Sequence, residues 1–249
     1  MEKKIIALIT DFGNSFYVGQ VKGVIKSINP DAEIIDITHE VPKFNIKAGQ
    51  FILYSSYKFF PKGTIFLVVI DPGVGSERKA IAIETKDYYF VGPDNGLFGF
   101  LEEYKAYEIE VPDSASPTFH ARDVFAPICA KISKGYKLSD FLKPINEIIK
   151  FDFRNTKNYE NVIVGEVIFI DDFGNLITNI EYDDSFKFVE IKNLKIDKKV
   201  KTYSQAKKDE LVFLKGSYEF LEISIVEGNA KKILNCEIGE IVKAYKWKF

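Results

Sequence analysis

The chain has 249 residues, room for one large domain or two of ordinary size, and its 46% hydrophobic and 28% charged composition is that of a globular protein with a sizeable core. A net charge of −2, with no basic stripe interleaved with aromatics, gives no support to a nucleic-acid partner. No apolar run approaches the ~18 residues of a membrane span, and the short run in MEKKIIALIT stops at Asp11, as a first strand does and a signal peptide does not, so the expected address is the cytoplasm.

The first 150 residues alternate strand and helix patterns. KIIALIT reads as a buried strand and FYVGQVKGVIKSI as a helix by its apolar spacing. AEIIDIT is a second strand, and NIKAGQFILYSSY a helix capped by Asn45. TIFLVVI is apolar throughout, as a central parallel strand covered on both faces should be. KAIAIET and YYFVG are two shorter strands joined at Lys86–Asp87. GLFGFLEE is a candidate short helix, AYEIEV a strand, and ARDVFAPICAKISKG a helix stopped by Gly135. This alternation predicts an α/β domain, a mixed and mostly parallel sheet between helices.

Residues 150–161 are polar and aperiodic, and a boundary is placed near residue 155, dividing the chain into 1–155 and 156–249. Beyond it come short β-type runs: VIVGEVIFID, NLITNI, KFVEI, ELVFLKG, FLEISIV and IGEIVKAY. They predict a smaller, all-β antiparallel barrel domain. The Lys-rich run 196–210 carries its own acids and reads as a solvated face. Cys129 and Cys236 sit in apolar contexts without a CxxC partner, so neither a disulfide framework nor a zinc site is expected.

The chemistry concentrates in a few polar clusters. ALITDFG and FLVVIDPGVGSERKA are strands that stop at a carboxylate, Asp11 and Asp71, followed by glycine. In an open α/β sheet ligands bind just beyond the carboxyl ends of the strands, although a single strand-end Asp is commonly a turn or cap residue. Arg78 can pair with Asp71 or hold an anion, and the loop is neither a Walker loop nor GxGxxG. His120, in TFHARD, could orient or deprotonate a water, or simply pack at a helix entry where the Thr118 hydroxyl caps. His39, in DITHEVP, is read as structural. GPDNG reads as a turn, and in IDDFGNLITN the amides of Asn175 and Asn179 could meet a purine edge.

In this order and spacing, TDFG, VIDPGVGSER, GPDNG, TFHARD, DDFGNLITN and GSYEFLEI closely resemble the S-adenosyl-L-methionine hydroxide adenosyltransferase family, which is related to the bacterial fluorinase and chlorinase. The resemblance spans nearly the whole chain. It implies hydrolysis of S-adenosyl-L-methionine to adenosine and L-methionine by water or hydroxide at C5′ of the ribose, with no metal and no cofactor. It puts the water-activating set on Asp71, Arg78 and His120, with Asp71 and His120 accepting hydrogen bonds from the water. It gives Asp11 the ribose hydroxyls, Asn175 the adenosine portion, and Phe44 a ring packed on the ligand. Asp172, or its neighbour Asp171, would face the methionine ammonium. Ser217, Tyr218, Glu222 and Ile225 would complete the substrate-binding set.

The resemblance further implies a homotrimer with sites at subunit interfaces. Two other readings stand beside hydrolysis: a non-catalytic adenosine- or S-adenosylmethionine-binding protein, and a 5′-halogenase. The halogenases carry Tyr where Asp71 stands and a long insertion where Lys86–Asp87 joins two strands here.

Overall fold

The computed structural model describes residues 4–246. The chain divides into two compact units, 1–152 and 153–249.

The first unit is built on a seven-stranded sheet of β1 (Ile5–Thr10), β2 (Glu33–Thr38), β3 (Ile65–Val69), β4 (Ala80–Glu84), β5 (Tyr89–Pro93), β6 (Lys105–Ile109) and β7 (Lys143–Ile145), in the order β2-β1-β3-β5-β4-β6-β7. The β2-β1-β3-β5 half is parallel. The β5-β4-β6-β7 half is antiparallel. The sheet is therefore evenly mixed rather than mostly parallel, because the tight Lys86–Asp87 connection makes β4 and β5 a hairpin. β1 and β3 are almost wholly buried, which accounts for their unbroken apolar sequences.

Helix α1 (Phe16–Ile28) starts at Ser15, whose side chain accepts from Tyr17 N, and buries Val21 and Ile25. Helix α2 (Ile46–Ser56) starts at Asn45, whose side chain accepts from Ala48 N, as expected of an N-cap. The third helical segment opens with a π-turn, Ala121–Phe125, closed by the Ala126 amide on Ala121 O, and continues as α3 (Ala126–Ser133). Pro127 lacks the amide that would tighten this turn. Ile6, Leu8, Val21, Ile25, Leu67, Phe125 and Ile132 pack in one core cluster, which joins α1 and α3 to β1 and β3.

The GLFGFLEE segment forms turns, not a helix. Gly96 has φ +101°, and a Cβ on Gly99 would lie 2.0 Å from the Phe151 carbonyl oxygen. That close backbone approach displaces the helix its apolar spacing suggests.

The second unit is an eight-stranded antiparallel sheet: β8 (Lys157–Tyr159), β9 (Val162–Ile170), β10 (Leu176–Glu181), β11 (Phe186–Ile191), β12 (Leu194–Ile196), β13 (Leu211–Lys215), β14 (Phe220–Ile225) and β15 (Ile241–Lys246). The path runs β12-β11-β15-β9-β10-β14-β13, with β8 beside β9. Residues just after β12 meet the far end of the path: Phe213 N donates to Lys198 O and Val200 N to Phe213 O. These bonds curl the sheet into a nearly closed barrel around Val167, Leu176, Phe186, Leu221 and Ile223. A short helix, α4 (Ala230–Leu234), is capped by Asn229. Among the described residues, no helix is long and apolar enough to cross a membrane.

Candidate active site

In the first unit the carboxyl ends of β1 and β3 open into a cleft of about 200 Å³. Asp11, Asp71 and His120 line it, together with Phe12, Tyr17, Lys43, Phe44 and Phe119. The three polar residues are far apart in sequence and meet because β1 and β3 are neighbours and the π-turn enters beside them.

Asp71 and Arg78 form a two-point ion pair. Arg78 Nε donates to Asp71 Oδ1 at 3.0 Å, and Nη2 donates to Oδ2. Both side chains are buried, at 6% and 9% exposure, where a planar fork holds a carboxylate rigidly. Arg78 also lies 5.4 Å over the Phe125 ring. The loop between them is tight: Gly75 has φ +77°, and a Cβ there would stand 2.5 Å from Pro117 O. Ser76 Oγ donates to Gly73 O and accepts from Arg78 N. GPDNG is more than a turn: Asn95 Nδ2 donates to Ile70 O and so secures the end of β3 beside Asp71.

Arg78 Nη2 lies 3.0 Å from His120 Nδ1. A guanidinium can only donate, so Nδ1 accepts and the neutral ring carries its proton on Nε2. Burial pushes the His120 pKa below its ordinary value and Arg78 adds to this, against the opposing pull of Asp71 and Asp123. With Nδ1 taken by Arg78, the ring nitrogen left on His120 is the Nε2–H, a donor, whereas the resemblance implies an acceptor there. Thr118 is no cap: its hydroxyl lies 3.3 Å from Ser116 Oγ, and Asp123 Oδ2 takes the Ser116 amide.

Asp11 is buried, with Oδ2 accepting from Phe44 N at 2.9 Å. Phe44 adopts φ +63° and leaves its ring 67% exposed on the cleft wall. The lining residues that sequence reasoning did not single out include Phe12, Tyr17, Lys43, Val74 and Phe119. Most of them adjoin a residue it did single out, so adjacency to a motif was the available signal.

In the second unit, Asp171 organises the turn between β9 and β10. Its Oδ1 accepts from Phe173 N and Asn175 N, and its Oδ2 from Asn175 Nδ2. Asp172, one residue on, is exposed and absent from that network. Asn179 is buried and its amide is engaged within the unit: Oδ1 takes Glu166 N, and Nδ2 donates to Phe153 O and Asn155 O. Glu222 is buried, with Oε1 accepting from Ser224 Oγ at 2.7 Å and from the Tyr203 hydroxyl. Burial, with the neighbouring carboxylate, pushes the Tyr203 pKa up. Ser217 and Tyr218 are exposed just before β14. Ile225 is different: its side chain is in the barrel core, so only its backbone could face a ligand. Among the described residues, no three His, Cys, Asp or Glu side chains cluster to hold a metal ion.

The first unit thus defines an α/β protein with a cleft at the carboxyl ends of two parallel strands, where Asp11, Asp71 and His120 stand among aromatic side chains. The chain belongs to the SAM hydroxide adenosyltransferase family: residues 6–142 match that family's N-terminal domain and residues 165–243 its C-terminal domain. It is 42% identical to the (R)-S-adenosyl-L-methionine hydrolase of Methanocaldococcus jannaschii, over 94% of this chain and 92% of that one. It is 28% identical to a fluorinase of Nocardia brasiliensis, over 73% of each chain. A solved structure, an uncharacterized conserved protein from Thermotoga maritima, matches with a TM-score of 0.87 and 37% identity, over 97% of this chain and all (100%) of that one.

Proposed function

We propose that this protein hydrolyses S-adenosyl-L-methionine to adenosine and L-methionine, with the (R) sulfonium form named for its relatives as the preferred substrate. The observation that carries the reading is the Asp71–Arg78–His120 chain beside Asp11 in one cleft. A water there donates one proton to Asp71 and receives the Nε2–H of His120, which leaves a lone pair for C5′. The C5′–O bond forms as the C5′–S bond breaks. The bonding pair leaves on sulfur as the neutral thioether of methionine, and the surplus proton passes through Asp71 to solvent. Because the sulfonium is a good leaving group, positioning contributes more than strong basicity. Arg78 keeps the carboxylate oriented through its two-point contact.

Asp11 receives the ribose hydroxyls, which a carboxylate can accept in pairs, and Phe44 packs on the nucleoside. In the second unit, Asn175 and Glu222 serve the adenosine and methionine portions, with Asp172, Ser217 and Tyr218 near them. Asp172 is favoured over Asp171 for the ammonium, since Asp171 is engaged in its turn. A halide nucleophile is disfavoured by Asp71, whose carboxylate would repel it. No metal or cofactor is needed for a displacement with so good a leaving group. We place the enzyme in the cytoplasm and its assembly as a homotrimer.

Incubation with each sulfonium epimer separately, followed by chromatographic identification of adenosine and free methionine, tests the reading. Binding without products would favour a non-catalytic binding protein instead.

A further inference from the structure

We propose that His39 is a positioning residue for Asp11, acting through Thr10, and that it governs substrate affinity rather than the chemical step; this rests on the function proposed above. His39 follows β2 and lies beside the end of β1, with Nδ1 2.8 Å from Thr10 Oγ1. Nε2 lies 3.2 Å from Asp36 Oδ1, an ion-pair distance without the alignment of a hydrogen bond, and Nε2 is buried with no other partner. The negative charge beside Nε2 favours the proton there, so Nδ1 accepts from the Thr10 hydroxyl. Thr10 Oγ1 in turn accepts from Phe12 N at 3.3 Å. At the outer end, Lys22 Nζ meets Asp36 Oδ2 at 2.5 Å.

The result is one directed chain: Phe12 amide to Thr10 hydroxyl to His39 ring, with Asp36 and Lys22 behind it. Thr10 and Phe12 are the residues on either side of Asp11. Two backbone bonds tie the same corner, Gly13 N to His39 O at 2.7 Å and Val41 N to Thr10 O at 3.3 Å. Asp11 is therefore held on one side by the Phe44 amide and on the other by the bend that His39 stabilises. A side-chain hydroxyl that bonds the amide two residues on fixes such a bend locally. The imidazole keeps that hydroxyl from turning to another acceptor. Thr10 is buried, so losing its partner leaves polar atoms unsatisfied in the strand end that aims the carboxylate.

The test uses the full-length enzyme, with steady-state kinetics on S-adenosylmethionine and calorimetric binding of adenosine. Thr10→Val and His39→Ala should each raise KM and the adenosine Kd about tenfold while kcat stays within about threefold, the loss of roughly one buried hydrogen bond from a uniform binding interaction. His39→Asn places an amide oxygen near the Nδ1 position and should restore affinity; His39→Gln should not. In an Asp11→Asn background, His39→Ala should add no further loss, because residues acting through one group are not additive. If His39→Ala does not fold, Thr10→Val and His39→Asn still decide the matter. Unchanged affinity in Thr10→Val, or an equal loss with and without the Asp11 carboxylate, would overturn the proposal alone. Wild-type protein that binds no adenosine would overturn the functional reading and this inference with it.

Discussion

Two carboxylates at strand ends face one cleft, and their surroundings differ. Asp71 is gripped at both oxygens by Arg78, whereas Asp11 is held by a backbone amide. Asp11→Ala should chiefly raise KM, since ribose contacts exist before and during reaction. Asp71→Asn keeps the shape and removes the charge, and should lower kcat by about 10²–10⁴-fold, the usual cost of losing a positioned acid–base group. Steady-state kinetics on both variants checks the division; the opposite pattern would exchange the roles. A second proton on His120 would occupy Nδ1 and break its hydrogen bond from Arg78, so in the proposed mechanism kcat/KM should fall on the acid side with an apparent pKa below the ordinary histidine value of about 6.5. The same depression makes the unfolded chain bind the proton first. The His120 contribution to stability is therefore complete above about pH 6.5 and is lost as pH falls towards the lower folded-state pKa. A pH–rate profile with its acid limb above 6.5 would contradict the assignment. The residue types Asp, Arg and His were legible in the motifs, but the direction of the His120 hydrogen bond was not. It depends on Arg78 reaching across from another loop.

At the scale of elements, long periodic segments were readable and short or strained ones were not. α1, α2 and the strands of the parallel half follow their apolar spacing, and Asn45 caps α2 as its position suggested. β7, β8 and β12 have three residues each, too few to show a period. The π-turn after His120 and the turns over GLFGFLEE are tertiary outcomes, set by Pro127 and by the approach of Phe151 to Gly99. The Asp71–Arg78 loop depends on Gly75. Gly75→Ala forces a Cβ onto Pro117 O in a left-handed conformation, which by itself costs about 1–2 kcal/mol. It should lower both the melting temperature and kcat, because relief of the clash moves the loop that carries Arg78. Thermal unfolding and kinetics measured together check this; an unchanged rate would mean the loop does not aim the guanidinium. Asn45→Ala should cost about 1 kcal/mol of stability in denaturant unfolding, as loss of an N-cap does.

At the scale of the molecule, the change from alternating to all-β patterning revealed two architectures, while the even mix of strand directions in the first sheet came from the β4–β5 hairpin. Assembly is a matter of surfaces, and no periodicity in one chain encodes it. The proposed homotrimer should sediment at three times the 28.4 kDa of the chain; a monomeric mass at assay concentration would refute it. In the proposed reaction, water oriented by Asp71 and His120 attacks C5′ of an adenosyl sulfonium. Turnover of S-adenosylmethionine in ¹⁸O-labelled water, read by mass spectrometry, tests it most directly. Attack by water should give adenosine carrying solvent ¹⁸O at the 5′ position and unlabelled methionine; adenosine without the label, or a 5′-halo product formed only with added halide, would contradict it.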